Sequence, residues 1–181
     1  RKSQSYQKAI GIAKMLILNY SPNLSSGKDN MLTLLFDMNK LWEEYVYRIL
    51  HKHKPNGYNV SFQNSEKFWE HKTIRPDIVI EDINQEKFII DTKWKVVNSN
   101  NPSDNDLKQM FAYNIYWKAE KSMLLYPRVY QEDSSFGNYN FRHLENKKNQ
   151  CKLGFVSVLD NDFLRNNKDI ANEIFRKLQR N

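Results

Sequence analysis

Two stretches decide how this chain reads: Arg75-Pro76-Asp77-Ile78-Val79-Ile80 and Phe88-Ile89-Ile90-Asp91-Thr92-Lys93-Trp94-Lys95. Residues 74–81 and 87–97 read as two strands. Between them, Asp82-Ile83-Asn84-Gln85-Glu86 has the length and composition of a hairpin loop. Alternate residues of a strand share a face. Asp91, Lys93 and Lys95 therefore point one way, and Ile90, Thr92 and Trp94 the other. A carboxylate straight after Phe88-Ile89-Ile90 is costly unless it is paired or meets a metal. The hairpin brings Asp77, at the start of the first strand, close to Asp91, near the end of the second.

Two carboxylates so close repel each other, and a divalent cation relieves the repulsion. Mg²⁺ prefers hard oxygen ligands and keeps several waters. Held by carboxylates, it polarises a phosphodiester and helps generate hydroxide. Lys93 beside it orients or deprotonates the attacking water, or neutralises transition-state charge. The plainer alternative makes Asp77 a strand-end residue and Asp91 with Lys93 an ordinary edge-strand ion pair.

Working outward, residues 6–18 read as a short helix ended by Pro22, and a polar loop follows. A longer helix is predicted over 34–51. There Leu34, Leu35, Met38, Leu41, Trp42, Tyr45, Val46, Ile49 and Leu50 recur at helical spacing. Tyr58, Val60 and Phe62 alternate as a strand does. Pro102-Ser103 opens a helix running to about residue 121, and Ser103 with Asp106 makes an approximate capping box. Residues 123–127 form a short strand, 128–150 a polar irregular stretch, 153–159 a β-rich run and 162–178 a last helix. This order predicts an α/β fold with a mixed central sheet flanked by helices. Residues 1–30 read as an N-terminal helix and linker, the remnant of a preceding domain, and 31–181 as the main domain.

The composition agrees. The chain has 181 residues with 40% hydrophobic and 13% aromatic content, enough for a core and too much for a disordered chain. Lys and Arg outnumber Asp and Glu by 28 to 21, a net charge of +7 that suits a polyanionic partner. The single cysteine, Cys151, excludes an internal disulfide and a cysteine zinc cluster. It reads as structural. No apolar run approaches a membrane span, and no glycine-rich phosphate loop is present, so this chain is not itself a GTPase or ATPase. His51 and His53 read as cations at a helix C-terminus, and His71 and His143 have no metal-ligand spacing.

Arg75-Pro76-Asp77 with Asp91-Thr92-Lys93 resembles the signature of the PD-(D/E)xK nuclease superfamily. That resemblance implies a restriction-endonuclease-like core. Gln109-Met110-Phe111-Ala112-Tyr113 resembles the Q-x-x-x-Y motif of its RecB-like branch. Met38-Asn39-Lys40-Leu41-Trp42-Glu43 and Asp106-Leu107-Lys108-Gln109 extend the likeness to the C-terminal nuclease half of McrC. McrC is the cleavage subunit of McrBC and LlaJI-type 5-methylcytosine restriction systems. The likeness runs over residues 34–159, with Trp42 where that family usually has Phe.

The resemblance implies an Mg²⁺-dependent endonuclease acting on double-stranded DNA, with Mn²⁺ able to substitute. Asp77, Asp91, Glu43 and the backbone carbonyl of Thr92 would bind metal. Lys93, Gln109 and Tyr113 would complete the catalytic set. It also implies a McrB-like AAA+ GTPase partner, no membrane, and a bacterial or archaeal cytoplasm. Lys95, Arg75, Arg142, Lys147 and Lys148 are candidates for DNA contact, and so are Lys152 and the cations of the last helix, Arg165, Lys168, Arg176, Lys177 and Arg180. Each of these cations has the alternative of an ordinary solvated charge. The competing functions are a stand-alone repair or resolvase-type nuclease and a non-catalytic DNA-binding or assembly domain.

Overall fold

The computed structural model describes residues 37–97, 101–140, 148–161 and 163–179. The expected first helix lies outside them, as do Leu34, Leu35, Arg142, Lys147 and Arg180. Helix α1, Met38–His53, begins where the Asp37 carboxylate caps it by accepting the Lys40 N–H at 3.2 Å. Its last turn carries His51, Lys52 and His53, and the Lys52 charge suits the negative end of the helix dipole. Pro55 then follows, beyond the last turn. Trp42, Val46, Ile49 and Leu50 are buried along one side, while Leu41 is half exposed, so the apolar stripe is narrower than its spacing suggests.

Five strands follow: β1 Asn59–Phe62, β2 Glu66–Trp69, β3 Lys72–Ile74, β4 Ile78–Glu81 and β5 Lys87–Thr92. The β2–β3 hairpin is absent from the sequence reading, because its turn is made by Glu70 at φ +46°, not by Gly or Asn. The two long strands expected over 74–81 and 87–97 are shorter here. Pro76 cannot donate to a ladder, so β3 and β4 are separate, and the chain leaves the sheet after Thr92. The loop between β4 and β5 is the expected hairpin: the Asp82 carboxylate accepts the Asn84 and Glu86 N–H groups.

Helix α2, Asp104–Trp117, is capped by Ser103, whose Oγ accepts the Asp106 N–H. It stops short of residue 121 at Lys118, which adopts a left-handed conformation. Then come β6 Lys121–Pro127, β7 Gly137–Asn138, β8 Gln150–Val156, a small hairpin of β9 Leu159–Asp160 and β10 Phe163–Leu164, and helix α3 Asn167–Gln179. Among the described residues the main sheet has the order β1-β4-β5-β6-β8-β7. β1, β4 and β5 pair antiparallel, whereas β5, β6 and β8 pair parallel.

Strand alternation splits the core in two. Ile78, Ile80, Ile90, Met123, Leu125 and Val156 meet Trp42, Leu50, Ile170 and Ile174 of α1 and α3. Val79, Ile89, Leu124, Tyr126, Leu153 and Phe155 meet Met110, Tyr113 and Trp117 of α2. The result is a three-layer α/β/α arrangement around a mixed sheet, as predicted. Asp91 has the parity of Ile89, so its side chain faces α2.

Candidate active site

The charged cluster forms where β5 leaves the sheet, beside the C-terminal end of its parallel neighbour β6, a usual place for sites in α/β sheets. The register pairs Ile78 with Ile90, which brings Asp77 and Asp91 to the same end of adjacent strands. Asp77 Oδ2 accepts the Thr92 N–H at 2.7 Å and the Thr92 hydroxyl at 2.9 Å. The Lys93 N–H donates to the Leu125 carbonyl at 2.9 Å and so fixes the exit of the strand.

Asp91 is 2% exposed. Burial pushes its carboxyl up to about 7, Asp77 adds to the rise, and Lys93 opposes it. Lys93 Nζ stands 2.7 Å from Asp91 Oδ2 as an ion pair, yet that oxygen has no aligned hydrogen-bond donor. Lys93 is pulled down by its burial, but Asp91, Asp106 and Asp77 outweigh this and hold its ammonium protonated. Lys93 Nζ also reaches Gln109 Oε1 at 3.4 Å. Gln109 Nε2 donates to the Tyr113 hydroxyl at 2.6 Å, and that hydroxyl donates to the Arg75 carbonyl at 2.8 Å. The i, i+4 spacing on α2 thus ties the Q-x-x-x-Y pair to the backbone just before Asp77. Burial raises the Tyr113 phenol, with Asp91 adding to the rise, so it stays neutral and serves as a hydrogen-bonding group.

Glu43 on α1 accepts from Gln63 Nε2 at 2.6 Å. Burial pushes its carboxyl above the usual range, the Gln63 bond opposes this, and Asp77 adds to it. Glu43 therefore belongs to the same electrostatic neighbourhood through Asp77. Asp77, Asp91, Thr92, Lys93, Gln109, Tyr113 and Glu43 are thus brought together. Among the described residues no three His, Cys, Asp or Glu side chains already stand as a metal-binding group. Asp77 is turned to Thr92 and Glu43 to Gln63. The donor chemistry still suits a hard cation: the side-chain donors of Asp77, Asp91 and Glu43 are all carboxylate oxygens.

Several expected DNA contacts are placed otherwise. Lys95 is held by Asp106 at 2.7 Å. Lys148 is exposed, but it precedes β8 at the far end of the sheet: Gln150 is in register with Lys121, and Lys121 with Phe88. Lys152 and Lys177 are buried, and Arg165 is paired to Glu173 at 2.8 Å, so these cations brace the fold. Arg75 is exposed and adjoins Asp77. Cys151 is buried and its thiol is pushed up by burial, as a structural cysteine should be.

Three residues escaped the sequence reading as site members. Gln63, at φ +50°, joins the Asp77 carbonyl, to which its N–H donates, with the Glu43 carboxylate. Asn39 Oδ1 accepts the Trp94 N–H. Asp106 meets both lysines. Asn39 and Asp106 lay in quoted motifs without a role attached to them; a lone Gln at residue 63 gives no signal.

Residues 1–127 match the family described as McrBC 5-methylcytosine restriction system component. The chain belongs to that family. A solved half-complex from a tetradecameric assembly of Thermococcus gammatolerans McrB AAA+ hexamers with bound McrC contains a chain of the same fold. The TM-score is 0.59 at 16% identity, over 96% of this chain and 47% of that one. This chain therefore spans about half the length of that neighbour. No curated protein matches it. Among the described residues no helix is long and apolar enough to cross a membrane.

Proposed function

We propose that this chain is the nuclease part of a McrC-like restriction subunit, with a PD-(D/E)xK core that hydrolyses DNA phosphodiesters. The observation that carries the reading is the convergence of Asp77 with Thr92, and of Asp91 with Lys93 and Gln109, at the ends of adjacent strands. Asp77 and Asp91 would hold Mg²⁺, with Glu43 and the Thr92 carbonyl beside them. A cation held by these residues would supply Lewis acidity to the scissile phosphoryl group and lower the pKa of a bound water.

In the reaction a water oxygen bonds to phosphorus, one ester P–O bond breaks, and a proton passes to the leaving oxygen. The chain's own side chains set that geometry. The Lys93 ammonium, held by Asp91 and Gln109, faces the developing negative charge or orients the attacking water. Gln109 is fixed in turn by the neutral Tyr113 hydroxyl. Arg75 adjoins Asp77 and would meet a phosphate without reading sequence.

Membership of the McrBC family and the fold shared with a McrB–McrC assembly support a McrB-like AAA+ GTPase as partner, in a prokaryotic cytoplasm. The test is nicking of supercoiled plasmid in Mg²⁺ or Mn²⁺, alone and with a McrB-like GTPase and GTP. Wild-type protein should nick and the Asp91→Asn variant should not. Equal nicking by both, or none by either under all these conditions, would rule the reading out.

A further inference from the structure

We propose that Asp106 is a positioning residue that aims Lys93 at Asp91 and keeps Lys95 away from it. This rests on the nuclease reading above. Asp106 sits in the first turn of α2, and its N–H is tied to Ser103 Oγ at 3.1 Å. Its side chain is only 12% exposed, so its orientation is fixed. The carboxylate divides its oxygens between two cations: Oδ2 holds Lys95 Nζ at 2.7 Å and Oδ1 faces Lys93 Nζ at 3.8 Å.

Lys93 is thereby bounded on three sides, by Asp91 at 2.7 Å, Gln109 at 3.4 Å and Asp106. Lys95 has no other ion pair among the described residues. It leaves the same strand end as Asp91 and carries a long flexible arm. Released from Asp106, its ammonium would compete for the Asp91 carboxylate, displacing Lys93 and neutralising an anion that the site needs. Asp106 itself stays ionised. Its burial opposes this, but the Lys95 and Ser103 hydrogen bonds and the charge of Lys93 outweigh it.

The experiment compares the full chain with its Asp106→Asn, Asp106→Glu and Asp106→Asn/Lys95→Met variants. The first reading is plasmid-nicking kinetics, with any GTPase partner supplied. Asp106→Asn should lower kcat by about tenfold or more with KM little changed, as expected when a catalytic group is misplaced by about an ångström. Asp106→Glu should recover much of the rate, and so should removal of the competing Lys95 in the double variant.

The second reading does not depend on cleavage. Side-chain ammonium NMR of Lys93 and Lys95 should show two slowly exchanging signals in the wild type, and Asp106→Asn should shift or broaden both. Unmoved signals, or an unchanged kcat in an active enzyme, would overturn the assignment. If the signals move while the wild type never cleaves, the nuclease reading fails and the anchoring role of Asp106 stands.

Discussion

Asp91 concentrates the tension of this fold in one carboxyl group. A buried acid whose folded-state value is raised to about 7 stabilises the fold fully only below its ordinary unfolded value. That stability is lost as pH rises from about 4 through 7. In a chelating buffer, Asp91→Asn should therefore gain on the wild type as pH rises. The difference should be negligible near pH 4 and rise to at most about 4 kcal/mol by pH 8. Urea unfolding at several pH values measures this, and a difference that does not vary with pH would contradict it. Loss of cleavage together with gain of stability is the pattern expected where function holds a charge in an apolar place.

A charge clasp holds α3 against the sheet. Lys177, only 8% exposed at its side chain, lies against Asp133 and Glu173, the latter at 3.1 Å. Asp133 also accepts the Phe155 N–H of β8 at 2.8 Å, and Lys152 Nζ donates to the Lys177 carbonyl at 3.1 Å. Lys177→Ala would leave the partly buried Asp133 and Glu173 carboxylates to Arg128 and Arg165 alone, at a cost of about 1–3 kcal/mol. A fall in the urea midpoint with unchanged slope reports it.

β8 supplies a second case. A Cβ at Gly154 would collide with Met123 Sδ and stand 3.1 Å from its Cγ. Met123 is fully buried, so Gly154→Ala should cost about 1–3 kcal/mol by overpacking. Stability equal to the wild type would show that Met123 repacks freely. The β4–β5 hairpin was readable because Asp82 caps its own loop. The β2–β3 hairpin was not, because a Glu in a left-handed turn carries no sequence signal.

Across the whole molecule, the net charge of +7 predicts DNA affinity that falls steeply with salt. The topology sorts the cations that matter. Lys148 sits at the end of the sheet opposite the acids, so Lys148→Ala should leave duplex affinity within about twofold. Arg75→Ala, beside Asp77, should weaken it several-fold and lower the salt slope by about one. Fluorescence anisotropy over a salt series in Ca²⁺ checks both. A larger loss at Lys148 than at Arg75 would place the DNA on the other end of the sheet.

The sequence by itself determined the layered α/β class, the β4–β5 hairpin and the residues of the acid–lysine set. Each of these depends on local spacing: alternation along a strand, an Asx-capped loop, i, i+4 on a helix. Only the tertiary structure decided which charges serve the site and which serve the core. Lys177, Lys152 and Arg165 resemble surface cations in the chain, but they are tied inward because α3 packs against β6 and β8. Gln63 meets Glu43, Asn39 meets the Trp94 N–H, and Asp106 meets Lys93 and Lys95, across separations of many residues along the chain. Pairings of that kind are fixed by how the layers pack, and no local pattern encodes them.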